Sequence, residues 1–178
     1  MWKIIALITA LGLAQYADAQ PAPRHLGCVP AGGVTTDMTA RELASAVRSC
    51  VQEDQLDRAV QLYLTYSNYI LFDQQRVKDE SAHVIVGELN SWIFTGYSYR
   101  KMQDLKVWVD RLRAPEDDFL PRTCALIKQA GYPTYRPDYM IVRGMIPRKN
   151  DDDWQVEDFN PDAAWDKALH EVNTCPRQ

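Results

Sequence analysis

The sequence predicts a mostly α-helical single domain that is stapled by disulfides and contains little or no sheet. Three observations predict this fold class. Apolar residues recur at helical spacing in about six segments, residues typical of helix ends stand at the borders of these segments, and four cysteines follow an apparent export signal. A chain of 178 residues is long enough to bury one proper core.

Residues 1–19 have the pattern of a signal peptide. Lys3 makes the start basic, Ile4–Tyr16 is mostly apolar, and Ala17–Ala19 gives the small-x-small pattern that a signal peptidase needs. The apolar run is shorter than the roughly 20 residues that span a bilayer, which argues against an uncleaved anchor. We therefore expect cleavage before Gln20, a periplasmic or secreted location, and no stable membrane insertion afterwards.

The four cysteines predict two disulfides. An even number of cysteines in an oxidising compartment is typical of disulfides, whereas a zinc site would need closer spacing than this chain has. Three pairings are possible. Cys28–Cys50 with Cys124–Cys175 is favoured because it ties each chain end to a helix, and a Cys50–Cys124 bond would instead join two helices.

An irregular leader, residues 20–36, precedes the helical domain at 37–178. The leader is rich in Pro, Gly, Ala and Thr. Thr39 and Glu42 have the spacing of a capping box and predict the start of the first helix. The predicted buried face of that helix is Leu43, Ala46, Val47, Cys50 and Val51.

The next segment, DRAVQLYLTYSNYILFD, predicts the central helix of the domain. At 100° per residue, apolar side chains cover more than half of its circumference, so neighbours must cover it on two or more sides. Tyr63 and Tyr66 fall inside the apolar arc and are expected in the core. Tyr69 at its edge and Phe72 beyond it are expected to be exposed. The predicted polar sector is Asp57, Arg58, Gln61, Thr65 and Asn68.

The junction DQLDRAVQLY resembles that of a tetratricopeptide-type helical repeat, with Leu56, Ala59 and Tyr63 at matching positions. The resemblance covers one helical hairpin. The residue 34 positions after Ala59 is Ile93, and its surroundings do not continue the pattern. The resemblance therefore implies a single helical hairpin at the start of the domain and no array of repeats.

Two further helices are expected before residue 115. The segment Ser81–Trp92 has Ile85, Leu89 and Trp92 at helical spacing, which favours a helix although its β-branched run would also suit a strand. Ser98 can cap the next helix, which Pro115 would stop.

The C-terminal part predicts two helices separated by an irregular stretch. Pro121 suits the first turn of a helix that Gly131 would end. Residues 132–149 are punctuated by prolines, and only Tyr139–Val142 could form a short strand. Asn160 with the proline after it predicts the start of the last helix.

The sequence contains no catalytic constellation, so we expect no enzyme and no cofactor. His25, His83 and His170 are scattered, and the His-Glu at the last of them lacks the second histidine of a zinc protease. No nucleophile elbow and no phosphate-binding glycine pattern occurs. The carboxylate groups at 116–118 and 151–153 lie in loop-like segments, where solvated charge is the better explanation than a glycosidase pair. Calcium binding is disfavoured because Val156 stands where an EF-hand loop needs glycine.

The acidic segment, residues 151–166, is the candidate partner-binding surface. It contains seven carboxylates, no basic residue and three large aromatic residues. Aromatic rings would supply buried area and the charge would steer a basic partner. The alternative is a solvated loop whose rings fold back onto the core. The candidate binding residues are Asp151, Asp152, Asp153, Trp154, Glu157, Asp158 and Phe159.

These features predict a protein that binds another protein. A net charge of −4 argues against wrapping nucleic acid. The export signal, the disulfide-stapled helical domain, the acidic patch and the lack of catalytic motifs together resemble the profile of small periplasmic immunity proteins that guard bacteria against secreted antibacterial effectors. The resemblance implies a protein that covers an effector's active site and performs no chemistry. The alternatives are a structural or assembly factor of the cell envelope and, less favoured, an exported hydrolase.

Overall fold

A computed structural model describes residues 24–148, 150–173 and 175, and the expected signal peptide lies outside this part of the chain. The described residues form helices joined by short loops, with 3-10 turns at Ala31–Gly33 and Glu80–His83. Their only strand-like feature is one isolated bridge between Val77 and Gln155. The predicted mostly α-helical class is confirmed. The α-helices are α1 Ala40–Gln52, α2 Leu56–Arg76, α3 Val84–Phe94, α4 Tyr99–Arg111, α5 Phe119–Ala130, α6 Asp138–Ile141 and α7 Pro161–Asn173.

Two disulfides fasten the ends of the domain. Cys28 is bonded to Cys50, which ties the leader to α1, and Cys124 is bonded to Cys175, which ties the residues after α7 to α5. The favoured pairing is therefore confirmed. Two disulfides indicate an oxidising compartment. No helix in the described part is long and apolar enough to cross a membrane.

Helix α2 is the central helix, as its apolar circumference predicts. α1 packs along it after a connection of three residues, and α7, α4 and α5 contact it on its other sides. Most of its side chains are buried, from Leu56 at its first turn to Arg76 at its last. Helices α1 and α2 thus form a hairpin, and its likeness to a tetratricopeptide repeat stays a prediction.

The predicted exposed side of α2 is wrong. Tyr69 and Phe72 are fully buried, and so are Thr65 and Asn68 of the expected polar sector. The Thr65 hydroxyl donates to the Gln61 carbonyl (3.0 Å) and the Asn68 amide N–H donates to the carbonyl four residues before it (2.7 Å), while Asn68 Oδ1 has no hydrogen-bond partner among the described residues. A helix whose polar side chains donate to its own backbone carbonyls can be covered by neighbours on all sides.

Aromatic residues of the C-terminal part provide this cover. The ring of Trp165 on α7 lies 5.9 Å from that of Tyr69 and 6.2 Å from that of Phe72, edge to face. Phe159 lies 5.4 Å from Phe72 on another side, and Tyr132 stacks on Phe72 at 5.5 Å. Such pairs stabilise the fold beyond their area burial. The C-terminal third of the chain therefore completes the core around α2.

The helix-start signals of the sequence are confirmed. The Thr39 hydroxyl accepts from the Glu42 backbone N–H (3.2 Å) while the Glu42 carboxylate accepts from the Thr39 N–H (2.8 Å). Glu42 also accepts from Arg24 Nε at 2.9 Å, which fastens the leader to α1. Ser98 caps α4 by accepting from the Lys101 N–H. Asn160 accepts from a first-turn N–H of α7.

Three smaller expectations had different outcomes. Ser81–Trp92 is helical as favoured, but Trp92 is exposed and Ile93 takes the buried position. The strand that was possible at Tyr139–Val142 does not form, because Asp138–Ile141 forms the helical turn α6. Gly131 ends α5 with a φ of 79°, a conformation that favours glycine.

Candidate protein-binding surface

A loop that follows α6, residues 142–148, exposes apolar side chains while its backbone is held in place. We call it the anchored loop. Met145 is 81% exposed and Ile146 is 64% exposed, and Val142 before them is also exposed. The Met145 N–H donates to the Ser81 hydroxyl and the Ile146 N–H donates to Asp79 Oδ2, both at 2.8 Å. The loop is therefore ordered by its backbone, while most of the surface of its apolar side chains faces solvent.

Asp79 is the anchor of this loop. Besides the Ile146 N–H it accepts from the N–H and the hydroxyl of Ser81, at 2.9 and 2.5 Å. The Ser81 hydroxyl, followed by the backbone N–H groups, holds the pKa of the Asp79 carboxyl below its ordinary value. A Cβ atom at Gly144 would overlap the Asp79 carboxylate, so glycine lets the loop come this close.

The acidic segment lies beside the anchored loop. The Lys78 N–H donates to the Trp154 carbonyl (2.9 Å) and the Val156 N–H donates to the Arg76 carbonyl (3.0 Å), so the segment pairs with the chain that leaves α2. Asp153 Oδ1 lies 2.5 Å from Lys78 Nζ, and this hydrogen bond raises the pKa of the Lys78 ammonium. The other six carboxylates of the segment are exposed: Asp151, Asp152, Glu157, Asp158, Asp162 and Asp166.

The aromatic rings of the acidic segment fold back onto the core, as the alternative interpretation expected. Trp154 and Phe159 are half-buried. The Phe159 ring packs on Phe72, and the Trp154 ring lies 5.9 Å from the Arg76 guanidinium carbon. These two rings position the loop. The charged side chains of the segment face solvent together with Val156, and binding of a basic partner there stays a prediction.

Two concave surfaces flank the anchored loop. A cleft of about 290 Å³ lies between this loop and the acidic segment, with Ile146, Trp154 and the Lys78–Asp153 ion pair in its walls. A wider groove of about 540 Å³ lies toward α1 and α3. Val142 lines both, so it stands on a ridge between them. A ridge with apolar side chains between two grooves presents the kind of surface that docks a protein.

A buried polar cluster supports this surface from below. We call it the Asp73 cluster. The Asp73 carboxylate accepts from the hydroxyls of Tyr135 (2.7 Å) and Tyr139 (2.6 Å) and from Arg76 Nε (2.9 Å). Tyr135 in turn accepts from the Ala40 N–H at the start of α1 (2.9 Å).

Asp73, Arg76 and Tyr139 of this cluster are buried and Tyr135 is half-buried, which argues for a structural role. Burial raises the pKa of the Asp73 carboxyl although Arg76 and the two hydroxyls oppose it, and burial raises the pKa of Tyr135 and Tyr139 well above 10. The hydroxyls therefore stay protonated and donate. The cluster joins α1, α2 and α6 and fixes the point at which the anchored loop begins.

The other candidate residues do not come together as a reactive site. Asp117 accepts from Arg111 Nε (2.6 Å) and from the Phe119 N–H (2.9 Å), so it orders the start of α5. The hydrogen bond from Arg111 holds the pKa of the Asp117 carboxyl below its ordinary value. His170 contacts Asp166 one turn away on α7. Among the described residues no group of three histidine, cysteine or acidic side chains could hold a metal ion.

Comparisons of the chain with protein-family models, with curated proteins and with solved structures gave no match. The surface must therefore be interpreted from its own geometry. Sequence reasoning directed attention to the acidic segment and missed Met145 and Ile146. A signal was present, because two large apolar residues stand between a glycine and a proline in a stretch with no helical period.

Proposed function

We propose that this chain is an exported, non-enzymatic protein-binding module that acts in the periplasm or outside the cell. The observation that carries the proposal is the anchored loop, which holds Met145 and Ile146 in solvent on an ordered backbone. A loop with an ordered backbone loses less conformational entropy on binding than a flexible loop, so a larger part of the free energy of burying its apolar side chains contributes to affinity. The resemblance to periplasmic immunity proteins supports the narrower form, in which the partner is an antibacterial effector.

The partner that fits this surface has an apolar pocket for Ile146 and basic groups facing the acidic segment. Apolar anchors at the centre of an interface carry most of its affinity, whereas charges at the rim set the rate of association. Met145 and Ile146 would form that centre. The exposed carboxylates of Asp151 and Asp152, beside the cleft, would form the rim.

The substitution Ile146→Glu is expected to weaken partner binding at least about 30-fold, because a buried anchor is worth about 2 kcal/mol or more. A photo-crosslinking amino acid at position 146 first identifies the partner in the native export compartment. Affinities of the purified pair are then measured by calorimetry. Val107→Glu is the matched control, since Val107 is 61% exposed on α4. Equal affinities of the two variants would contradict the proposal.

The double substitution Asp151→Lys/Asp152→Lys is expected to slow association about tenfold at low salt and to leave dissociation nearly unchanged. Steering acts over the Debye length, so the difference should vanish at high salt. Stopped-flow mixing with the purified partner that was identified by crosslinking measures the association and dissociation rates. Asp104→Lys/Glu116→Lys changes the net charge equally at two exposed positions elsewhere. Unchanged association rates in the first variant would remove the acidic segment from the interface.

A further inference from the structure

An apolar cavity of about 170 Å³ lies among α1, α2, α3 and α4, on a different part of the molecule from the anchored loop. Its walls contain no charged residue, and the single polar atom among the lining side chains is the Tyr63 hydroxyl. The lining residues are Val47, Val51, Ala59, Val60, Tyr63, Leu64, Phe94, Leu105, Val109 and Leu112.

The cavity exists because α4 contacts the α1–α2 hairpin incompletely. Leu105 is the one buried residue of α4, while Val109 on the same stripe is only half-buried. The floor, formed by side chains such as Val51 and Val60, is buried. At the rim the half-buried rings of Tyr63 and Phe94 meet edge to face with centroids 5.2 Å apart. A deep apolar floor with a partly open rim allows a small molecule to enter.

An apolar occupant would recover dispersion contacts that the lining of this cavity lacks. Protein interiors are packed like organic crystals, and voids larger than a water molecule are few. The atoms around an empty void lose dispersion contacts. Water is a poor occupant, because a buried water needs two to four polar partners and this lining offers almost none.

We propose that this cavity binds a small uncharged apolar molecule of about six to eight carbon atoms, such as a short aliphatic chain or a single aromatic ring. The size follows from volume, since a cavity of about 150 Å³ lined by aliphatic and aromatic side chains holds benzene in another protein. The absence of charged residues in the lining excludes a charged group in the cavity, because burying an unpaired charge is costly. This activity is separate from the proposed protein binding.

Toluene titrated into the full mature protein tests the proposal. We expect saturable binding to one site by calorimetry. At ten times its dissociation constant toluene should raise the Tm by about 3–6 °C. Nuclear Overhauser contacts between toluene and the methyl groups of Val60 and Leu105 would place it in the cavity. Absence of saturable binding, or contacts confined to other residues, overturns the proposal.

Val60→Phe fills the cavity from the floor and should abolish the toluene-induced rise in Tm. Leu105→Phe fills it from the opposite wall and serves as an independent second variant. Val107→Phe makes the same type of change on the exposed side of α4 and should keep the full rise. A rise that persists in both filled variants, each shown to be folded by circular dichroism, contradicts binding in this cavity.

Discussion

Replacing Asp73 by alanine is expected to lower the free energy of unfolding by about 3–5 kcal/mol, as found when one partner of a buried ion pair is removed. The side chain is fully buried, and it accepts from the guanidinium of Arg76 and from the hydroxyls of Tyr135 and Tyr139. Asp73→Ala leaves one buried cation and two buried hydroxyls without their acceptor. Natural domains are stable by about 5–15 kcal/mol, so the loss is a large part of the total.

Denaturant unfolding measures this effect through the midpoint at an unchanged slope. Asp110→Ala is the control, because Asp110 is exposed on α4 and its pair with Lys106 contributes about 1 kcal/mol or less. Similar decreases in the free energy of unfolding of the two variants would show that the Asp73 cluster contributes no more to stability than an exposed ion pair. A double-mutant cycle of Asp73→Asn and Arg76→Met measures the interaction between these two side chains, and we expect a coupling free energy of about 1 kcal/mol or more.

The Asp73 cluster also affects the proposed binding surface. Tyr139 lies on α6, directly before the anchored loop, and its hydroxyl holds α6 against α2. The position of the anchored loop therefore depends on the buried Asp73 side chain, so the structural and the proposed functional residues are coupled through α6.

Local signals in the sequence were sufficient to predict most helices. The capping box at Thr39, the cap at Ser98 and the terminating Gly131 act through hydrogen bonds or backbone conformations within a few residues. The helix ends that these residues set therefore do not depend on the rest of the fold. The number of disulfides was predictable from the even number of cysteines, whereas the sequence left three pairings open and only favoured the one that the structure shows.

Burial on the far side of α2 was not predictable from helical periodicity. Asn68 has a polar side chain, and a helical projection places it toward solvent. In the structure its amide donates to the Leu64 carbonyl, which allows α7 and its neighbours to cover it. Trp165 and Phe159 contact Tyr69 and Phe72 across about 90 positions of the sequence, so these contacts depend on how the chain folds back onto α2. Periodicity contains no information about such distant contacts.

The proposed binding surface could be predicted only in part for a related reason. The charge of the acidic segment is visible in the sequence and remains exposed at Asp151 and Asp152. Whether Trp154 faces a partner or the core depends on the cation–π contact with Arg76, a residue 78 positions earlier that sequence reasoning did not connect with it. The exposure of Met145 likewise follows from the long-range hydrogen bond to Ser81.

Replacing both Cys124 and Cys175 by serine is expected to lower the free energy of unfolding by about 4 kcal/mol. The bond closes a loop with a sequence separation of 51, and in the chain-entropy model its loss lets the unfolded chain expand. The Cys28–Cys50 bond has a separation of 22, so Cys28→Ser/Cys50→Ser should cost less, about 3 kcal/mol. Denaturant unfolding of the two double variants gives both values.

The two bonds should also differ in which part of the fold they protect. Cys175 fastens the C-terminal end of α7, the helix whose Trp165 covers Tyr69 and Phe72 of α2. Without this bond α7 can leave the core by local unfolding, so its amide hydrogens should exchange faster than those of α1. Loss of Cys28–Cys50 should leave the exchange of α7 unchanged, since that bond lies at the other end of the domain. Uniformly faster exchange in both variants would instead mean that the domain opens as one unit.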